Sequence, residues 1–235
     1  MAVNLPSTKM SPGLALALFV GTVMIVFGVA RTISAFSMLP GTPVLKNIQS
    51  LNSVQADGLE LLIASRKRGL RWSDSGRAWT DLGLAQLLLA TTEGIDGERR
   101  RSLVNEAIIS LNAGLALAPA NPFAWTRLAY AETLANGPSP QVVSALRMAL
   151  LTAQYEPRLL FVRLELCFQV WSRFDTGDRD LIFKQVRFAW RIQPKRLVEL
   201  ALRIGRVNLV RASLLSSRED LSEFEKLLRA QRSSS

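Results

Sequence analysis

The sequence predicts an all-α protein: a single N-terminal transmembrane helix, then an α-solenoid of about three helix pairs, then C-terminal capping helices. Residues 10–30 contain no charged side chain. Farther along, Pro119, Pro157 and Pro194 stand 38 and 37 residues apart, each after an amphipathic stretch. Self-similarity at a period of this length is typical of helical solenoids, in which each helix pair buries its apolar face on the next.

The composition agrees with an all-α fold. Hydrophobic residues make up 49% of the 235 residues, and there are only two tyrosines. Leu and Ala dominate, whereas runs of β-branched residues are few, which disfavours a sheet protein. The length accommodates one membrane segment and one domain with a real core.

The membrane segment is assigned to residues 13–30, which contact the lipid bilayer. This run is just long enough to cross a bilayer as a helix. A cleaved signal peptide is the alternative, since Gly28-Val29-Ala30 offers small residues before Arg31. The apolar run exceeds a typical signal core, which favours an uncleaved anchor. A short amino tail usually stays inside, so we expect a single-pass protein of the inner membrane with its C-terminal domain outside the cytoplasm.

Turn residues divide the rest of the chain. Residues 1–12 form an N-terminal tail. Pro40, Gly41 and Pro43 predict a linker over residues 31–43. Apolar positions from Val44 to Ala64 predict a juxtamembrane helix, followed by a basic loop at residues 66–71. Together these form a linker region over 31–77. Helical repeats follow at 78–194, C-terminal helices at 195–230, and a disordered tail at 231–235.

A local pattern recurs within residues 78–194. Ala78-Trp79-Thr80-Asp81-Leu82-Gly83 and Ala124-Trp125-Thr126-Arg127-Leu128-Ala129 share Ala-Trp-x-x-Leu-small, and residues 160–165 form a degenerate third copy. Each copy is followed by a helical stripe of small apolar residues. The predicted repeat core is Trp79, Leu82, Gly83, Ala107, Gly114, Pro119, Trp125, Leu128, Ala145, Pro157, Phe161, Leu164, Ala189 and Pro194.

This arrangement resembles the tetratricopeptide repeat (TPR), with Trp-x-x-Leu-Gly, then a small-residue second helix, then proline. The resemblance covers residues 78–194 and implies a protein-binding solenoid. The separations from Trp79 to Ala107 and from Trp125 to Ala145, 28 and 20 residues, are longer than the family pattern. A second resemblance, of residues 155–160 and 187–191, is to small membrane proteins of bacterial exopolysaccharide clusters.

No motif points to catalysis. The chain has no histidine, which excludes Ser-His and Cys-His catalysis and His-ligated zinc. Cys167, the only cysteine, lies in an apolar segment and is expected to be a buried thiol. The acidic segment 175–180 lacks the alternation of a calcium loop, so Asp175 or Asp178 is expected to cap a helix. We therefore expect no enzyme activity, no cofactor and no metal.

The net charge of +10 is concentrated near the C-terminus. Such a basic surface suits anionic lipid, acidic proteins, acidic polysaccharide or nucleic acid, or it is simply solvated. A membrane anchor makes nucleic acid the least expected partner. The candidate basic binding surface consists of Arg187, Arg191, Lys195, Arg196, Arg203, Arg206 and Arg211.

Two functions follow from these features. The first is a membrane-anchored scaffold or assembly factor that binds other envelope proteins through its solenoid, with exopolysaccharide synthesis or export as the most specific case. The second is a membrane-tethered module that binds a polyanion through the 187–211 surface.

Overall fold

The computed structural model describes residues 11–233, which form α-helices, two short 3₁₀ turns and no strand. The N-terminal residues 1–10 and the last two residues of the predicted tail lie outside the described part. The helices are α1 (Pro12–Met38), α2 (Thr42–Gln49), α3 (Ala56–Leu70), α4 (Gly76–Ala90), α5 (Gly97–Leu117), α6 (Pro122–Asn136), α7 (Pro140–Thr152), α8 (Pro157–Gln169), α9 (Thr176–Ile192), α10 (Pro194–Arg203), α11 (Val207–Leu214) and α12 (Arg218–Ser233).

Helix α1 contains the predicted membrane segment. Ser11 caps it by accepting a hydrogen bond from the Leu14 amide, and Pro12 occupies the first turn, where its missing N–H costs nothing. The apolar side chains from residue 14 to residue 29 face outward, with Met24 72% exposed. Helix α1 is long and apolar enough to cross a membrane.

The predicted linker over residues 31–43 is wrong, because these residues are helical. Helix α1 continues to Met38, a 3₁₀ turn spans Leu39–Gly41, and α2 begins at Thr42. Pro40 and Pro43 occupy first-turn positions, which proline tolerates, so neither residue breaks the helical path.

The predicted helix over residues 44–64 is in fact two helices. The chain leaves α2 through Leu51, whose φ of 59° lies in the left-handed region, and α3 begins at Ala56. The basic segment 66–71, predicted as a loop, forms the last turns of α3 instead. Ser65, Arg66 and Gly69 are buried there, so tertiary packing outweighs the charge and the glycine.

Helix α3 packs antiparallel to the end of α1. The Ser34 hydroxyl donates to the Gly69 carbonyl at 2.9 Å, and Arg66 Nη1 donates to the Met38 carbonyl at 3.0 Å. A Cβ atom added at Gly69 would overlap the Met38 side chain and stand 3.1 Å from the Ser34 carbonyl oxygen, so a larger residue here would require Met38 to move. Gly41, in the 3₁₀ turn that follows α1, contacts Leu62 near the middle of α3. Helix α1 thus runs directly into the helical domain.

Helices α4 and α5 form an antiparallel pair whose close approach depends on glycines. A Cβ at Gly83 would stand 2.7 Å from Leu111 Cγ. A Cβ at Gly114 would stand 2.8 Å from the Thr80 hydroxyl. Small residues at these contacts let the two backbones approach and bury a shared apolar stripe.

The later helices pack on these in sequence. Helix α6 contacts α5, α7 and also α4, while α8 contacts both α6 and α9. Helix α10 contacts α9, α11 and α12, and Arg203 of α10 forms an ion pair with Glu165 of α8. One apolar core runs through this region from Leu87 on α4 to Leu228 on α12.

The three spaced prolines lie at helix boundaries, and Pro119 and Pro194 directly follow the C-cap residues of α5 and α9. Pro157 and Pro194 are the first residues of α8 and α10, and Pro119 lies in the turn before α6. Proline favours a helix start because its φ is already helical and its missing N–H has no intrahelical partner there. The 37-residue spacing therefore separates two helix starts.

The C-terminal helices largely follow the sequence pattern. Gly205, with a φ of 70°, separates α10 from α11 at the predicted interruption. Ser217 accepts a hydrogen bond from the Asp220 amide at the start of α12. The predicted disordered tail is partly wrong, because α12 continues through Ser233.

Candidate functional site

Most of the predicted repeat core is buried, although its members lie in different helix contacts. Gly83 and Gly114 are buried where α4 meets α5. The remaining buried members are Leu82, Ala107, Leu128, Ala145, Phe161, Leu164 and Ala189. Pro119 in a turn and Pro157 at the start of α8 are exposed, and Pro194 is half-buried, so the prolines are not core residues.

The two repeat tryptophans lie at the edge of the core. Both are half-buried. The Trp79 indole N–H donates to Asp74 Oδ1 at 3.1 Å, and that of Trp125 donates to the Pro119 carbonyl at 2.8 Å. Because an indole N–H needs a polar partner, the ring lies where a turn supplies one.

A pocket of about 320 Å³ opens between α3, α4 and α5. Its wall contains a chain of four polar side chains. Lys67 Nζ lies 2.8 Å from Glu106 Oε2, Gln86 Nε2 donates to the same oxygen at 2.9 Å, and Ser110 donates to Gln86 Oε1 at 2.8 Å. The other lining residues are Leu70, Arg71, Trp79, Leu82 and Ile109.

Sequence reasoning missed this pocket. Gln86 and Ser110 are both buried, one on α4 and one on α5. A polar residue within an apolar helical stripe is the signal that could have identified the pair, because buried polar groups need partners. The hydrogen bonds from Ser110 to Gln86 and from Gln86 to Glu106 orient the Glu106 carboxylate at the wall of this largely apolar pocket.

The candidate basic surface is largely paired within the protein. The Arg203 guanidinium binds Glu165 through both terminal nitrogens at 2.7 and 3.0 Å. Arg211 Nε donates to Glu225 at 2.6 Å, and this bond lowers the pKa of the Glu225 carboxyl. Arg196 stacks 4.2 Å above the Phe161 ring.

The remaining members of this surface comprise two paired and two unpaired side chains. Arg206 and Arg187 donate to backbone carbonyls of Phe168 and Ser213. Arg191 and Lys195 are exposed, and neither has an ion-pair or hydrogen-bond partner among residues 11–233. Those two side chains are the part of the predicted surface that retains free charge.

Several arginines satisfy the carbonyls at helix C-termini, where the helix dipole is negative and the last carbonyls have no intrahelical partner. This use of arginine accounts for part of the excess positive charge. The pairs are Arg66 with Met38 of α1 (3.0 Å), Arg100 with Ala90 of α4 (3.1 Å), Arg163 with Ala149 of α7 (2.9 Å), Arg206 with Phe168 of α8 (3.0 Å) and Arg187 with Ser213 of α11 (3.3 Å).

The acidic segment 175–180 contributes to folding. Asp175 caps α9 by accepting from the Asp178 amide at 2.8 Å, which confirms the predicted cap. Arg147 binds the carboxylates of both Asp175 and Asp178. Among residues 11–233, no group of three or more cysteine or acidic side chains is placed to hold a metal ion.

Cys167 is fully buried on α8, as the sequence predicts. Burial raises the pKa of its thiol to about 12, against the opposing effect of nearby Arg163. A thiol in this state is a packing residue and not a nucleophile.

The functional inference for this protein rests on the geometry of its structure. No protein-family model matches the chain, and no curated protein is significantly similar to it.

Proposed function

We propose that the protein is a membrane-anchored scaffold whose helices form a TPR-like solenoid that binds other envelope proteins. The support comes from the order of the helix contacts. Each of the pairs α4–α5, α6–α7 and α8–α9 packs internally, and α4, α6 and α8 also contact one another in turn. Arg203 and Glu165 extend this row to α10. Such a row of first helices is what a stack of helix pairs requires.

The observation that carries the proposal is the pocket between α3, α4 and α5. Its apolar wall includes Trp79 and Ile109, and Ile109 is 67% exposed. Protein interfaces use an apolar anchor seated in a pocket, surrounded by polar groups that fix its orientation. Lys67 and Glu106 supply such groups here. We propose that a partner segment inserts an apolar side chain at this place.

Localisation is part of the same proposal. We place α1 across the inner membrane and the helical domain outside the cytoplasm. The exposed apolar surface of α1 would be costly in water and favourable in lipid.

The experiment is site-specific photocrosslinking in the native membrane. A photoreactive amino acid at Ile109 should give a discrete crosslinked species with a partner protein. The same amino acid at Ser144, exposed on α7, is the control and should not. A Leu82→Trp change, which fills the pocket, should abolish the crosslink from position 109. The absence of any species at Ile109 would overturn pocket recognition.

The polyanion-binding function is favoured at one place, the unpaired side chains of Arg191 and Lys195. If they contact phosphates of a single-stranded nucleic acid, the double change R191Q/K195Q should lower the slope of log affinity against log salt by about 1.4. Full-length protein in detergent, titrated at several salt concentrations, measures this slope. Equal slopes for the wild type and R191Q/K195Q would exclude nucleic-acid binding at this surface.

A further inference from the structure

We propose that the C-terminal end of α3 and the turn after it bind the anionic headgroups of the bilayer that α1 crosses. We call this surface the juxtamembrane patch; it consists of Arg68, Arg71, Trp72 and Leu117. The inference rests on the anchor in the proposed function, and Arg71 is the one member of the patch that also lines the pocket.

The packing of α1 against α3 sets the height of the patch. Residue Gly69 contacts both Ser34 and Met38, while Leu62, earlier in α3, contacts Gly41. Helix α3 therefore descends toward the membrane end of α1. At about 1.5 Å per residue, Ser34 stands roughly 6 Å beyond Ala30, the last residue of the apolar run.

Trp72 follows Gly69 by three residues in the descending direction and so reaches about the level of Ser34 or lower. The headgroup layer occupies roughly 5–7 Å on each side of the hydrocarbon core. The patch thus lies at the depth of this layer, where tryptophan is enriched in membrane proteins.

Leu117, the last residue of α5, lies at the same end of the domain as the turn after α3. Gly76, just after the α3–α4 turn, is in contact with Leu117 and Ala118: a Cβ added there would lie 3.3 Å and 3.1 Å from their Cβ atoms. Leu117 is 54% exposed and Trp72 is 52% exposed. Two large exposed apolar side chains therefore lie at the end of the domain that we place toward the membrane.

The charge of the patch complements an anionic surface. Arg68 and Arg71 are exposed and have no hydrogen-bond or ion-pair partner among the residues that the structure describes. Arg31 on α1 and Arg77 on α4 are exposed nearby. The acid in this turn is Asp74, which accepts the Trp79 indole bond. Arg68 and Arg71 thus differ from Arg66 of α3, which donates to the Met38 carbonyl.

Basic side chains flanking a membrane helix attract anionic lipid, by about 1 kcal/mol for each Lys or Arg near the surface. Apolar side chains beside them add burial in the interfacial layer. A rigidly docked α3 keeps both kinds of side chain at that depth without an entropy cost on binding. The patch would therefore fix the orientation of the helical domain on the membrane.

The test uses the full chain reconstituted into vesicles of neutral and anionic phospholipid. Flotation first shows whether the protein is inserted. Lipids brominated near the top of the acyl chain then quench nearby tryptophans. We expect wild-type emission to be quenched, and the W72F variant to lose most of this quenching. The matched variant W171F should retain the quenching. It removes a tryptophan of the α8–α9 turn that packs on Phe183 of α9.

A second measurement tests the charge. Energy transfer from tryptophan to a headgroup-labelled anionic lipid is compared with transfer to a labelled neutral lipid. The wild-type ratio should favour the anionic lipid, and R68Q/R71Q should reduce this preference by about fivefold for each arginine removed. The control R101Q/R173Q changes two exposed arginines, one on α5 and one in the 3₁₀ turn after α8, and should leave the ratio unchanged.

The outcomes separate this inference from the anchor. A floating protein whose quenching is equal in wild type and W72F overturns the juxtamembrane patch and leaves the anchor intact. A floating protein quenched through Trp72 with an unchanged lipid ratio in R68Q/R71Q overturns the role of anionic headgroups. A protein that fails to float overturns the anchor and the patch together.

Discussion

Arg163 is a cation buried at the centre of the helical domain. Its side chain is 0% exposed, and Nη1 donates to the carbonyls of Ala149 and Ala153 at 2.9 and 2.7 Å. Burial lowers the pKa of the guanidinium, yet arginine stays protonated in proteins because its ordinary pKa is so high. No carboxylate forms an ion pair with Arg163 among residues 11–233, and its charge is balanced by the negative end of α7 together with the nearby Glu156 carboxylate.

Replacing Arg163 with Met should destabilise the protein by about 2–4 kcal/mol, because two buried carbonyls lose their donor. Arg158→Met is the matched control on the same helix, where the side chain is exposed, and it should change stability by less than about 0.5 kcal/mol. Denaturant unfolding of the full chain in detergent measures both. Equal stabilities for the two variants would show that Arg163 is not a structural cap.

Cys167 provides a second prediction at the residue scale. A thiol with a pKa of about 12 has about a thousandfold less thiolate at neutral pH than an ordinary cysteine with a pKa near 8.5–9. Burial also blocks reagent access. We expect native protein to resist a maleimide at pH 7 and to react rapidly once unfolded. Rapid labelling of the native chain would contradict the packing around α8.

At the scale of the element, α1 and α3 behave as one unit. Arg66 joins three helices: Nη1 donates to the Met38 carbonyl at the end of α1, and Nε lies 3.5 Å from Asp81 of α4. Burial raises the pKa of Asp81, while Arg66 and Arg127 oppose that rise. Arg66 therefore links α1, through the Met38 carbonyl, to α4, through Asp81.

The close contact at Gly69 gives a prediction for this unit. Gly69→Val should separate α1 from α3, because the added atoms overlap Met38 and the Ser34 carbonyl. Hydrogen exchange should rise at residues 34–38 by at least about tenfold, which corresponds to roughly 1.4 kcal/mol. Gly97→Val is the control, since a Cβ there meets nothing within 4 Å. Unchanged exchange at 34–38 in Gly69→Val would refute rigid docking.

On the scale of the whole molecule, the arginines explain much of the charge. Helix ends and carboxylates engage Arg100, Arg163, Arg203 and Arg206. A high net charge in this chain is therefore not by itself a sign of a polyanion partner. Exposed basic side chains without a hydrogen-bond or ion-pair partner among residues 11–233 include Arg191 and Lys195, Arg68 and Arg71 at the C-terminal end of α3, and Arg101, Arg158 and Arg173.

The topology prediction belongs to this scale. With reporters fused after Ser235 and at the amino terminus, we expect the C-terminal reporter to be active outside the cytoplasm. The protein should also keep its full mass, because we propose that α1 is an uncleaved anchor. A cytoplasmic C-terminal reporter would reverse the orientation, and a mass lacking residues 1–30 would show a cleaved signal peptide.

The amino-acid sequence by itself determined the features that depend on neighbouring residues. The apolar run after Ser11 specified α1, helical periodicity specified the later helices, and Asp175 marked the start of α9. The burial of Cys167 also followed from its apolar neighbours. These features are local, because helix formation and capping are decided within a few residues.

Only the tertiary structure decided which distant residues meet. The sequence of the basic end of α3 predicts a loop, yet this segment is helical because Gly69 and Arg66 pack against α1. Their hydrogen bonds are to Ser34 and Met38, which lie 35 and 28 residues away in the sequence. The pocket polar chain from Lys67 to Ser110 and the pairing of Arg203 with Glu165 arise in the same way. Sequence periodicity shows which face of a helix is apolar, but the partner of that face is set by packing across the whole domain.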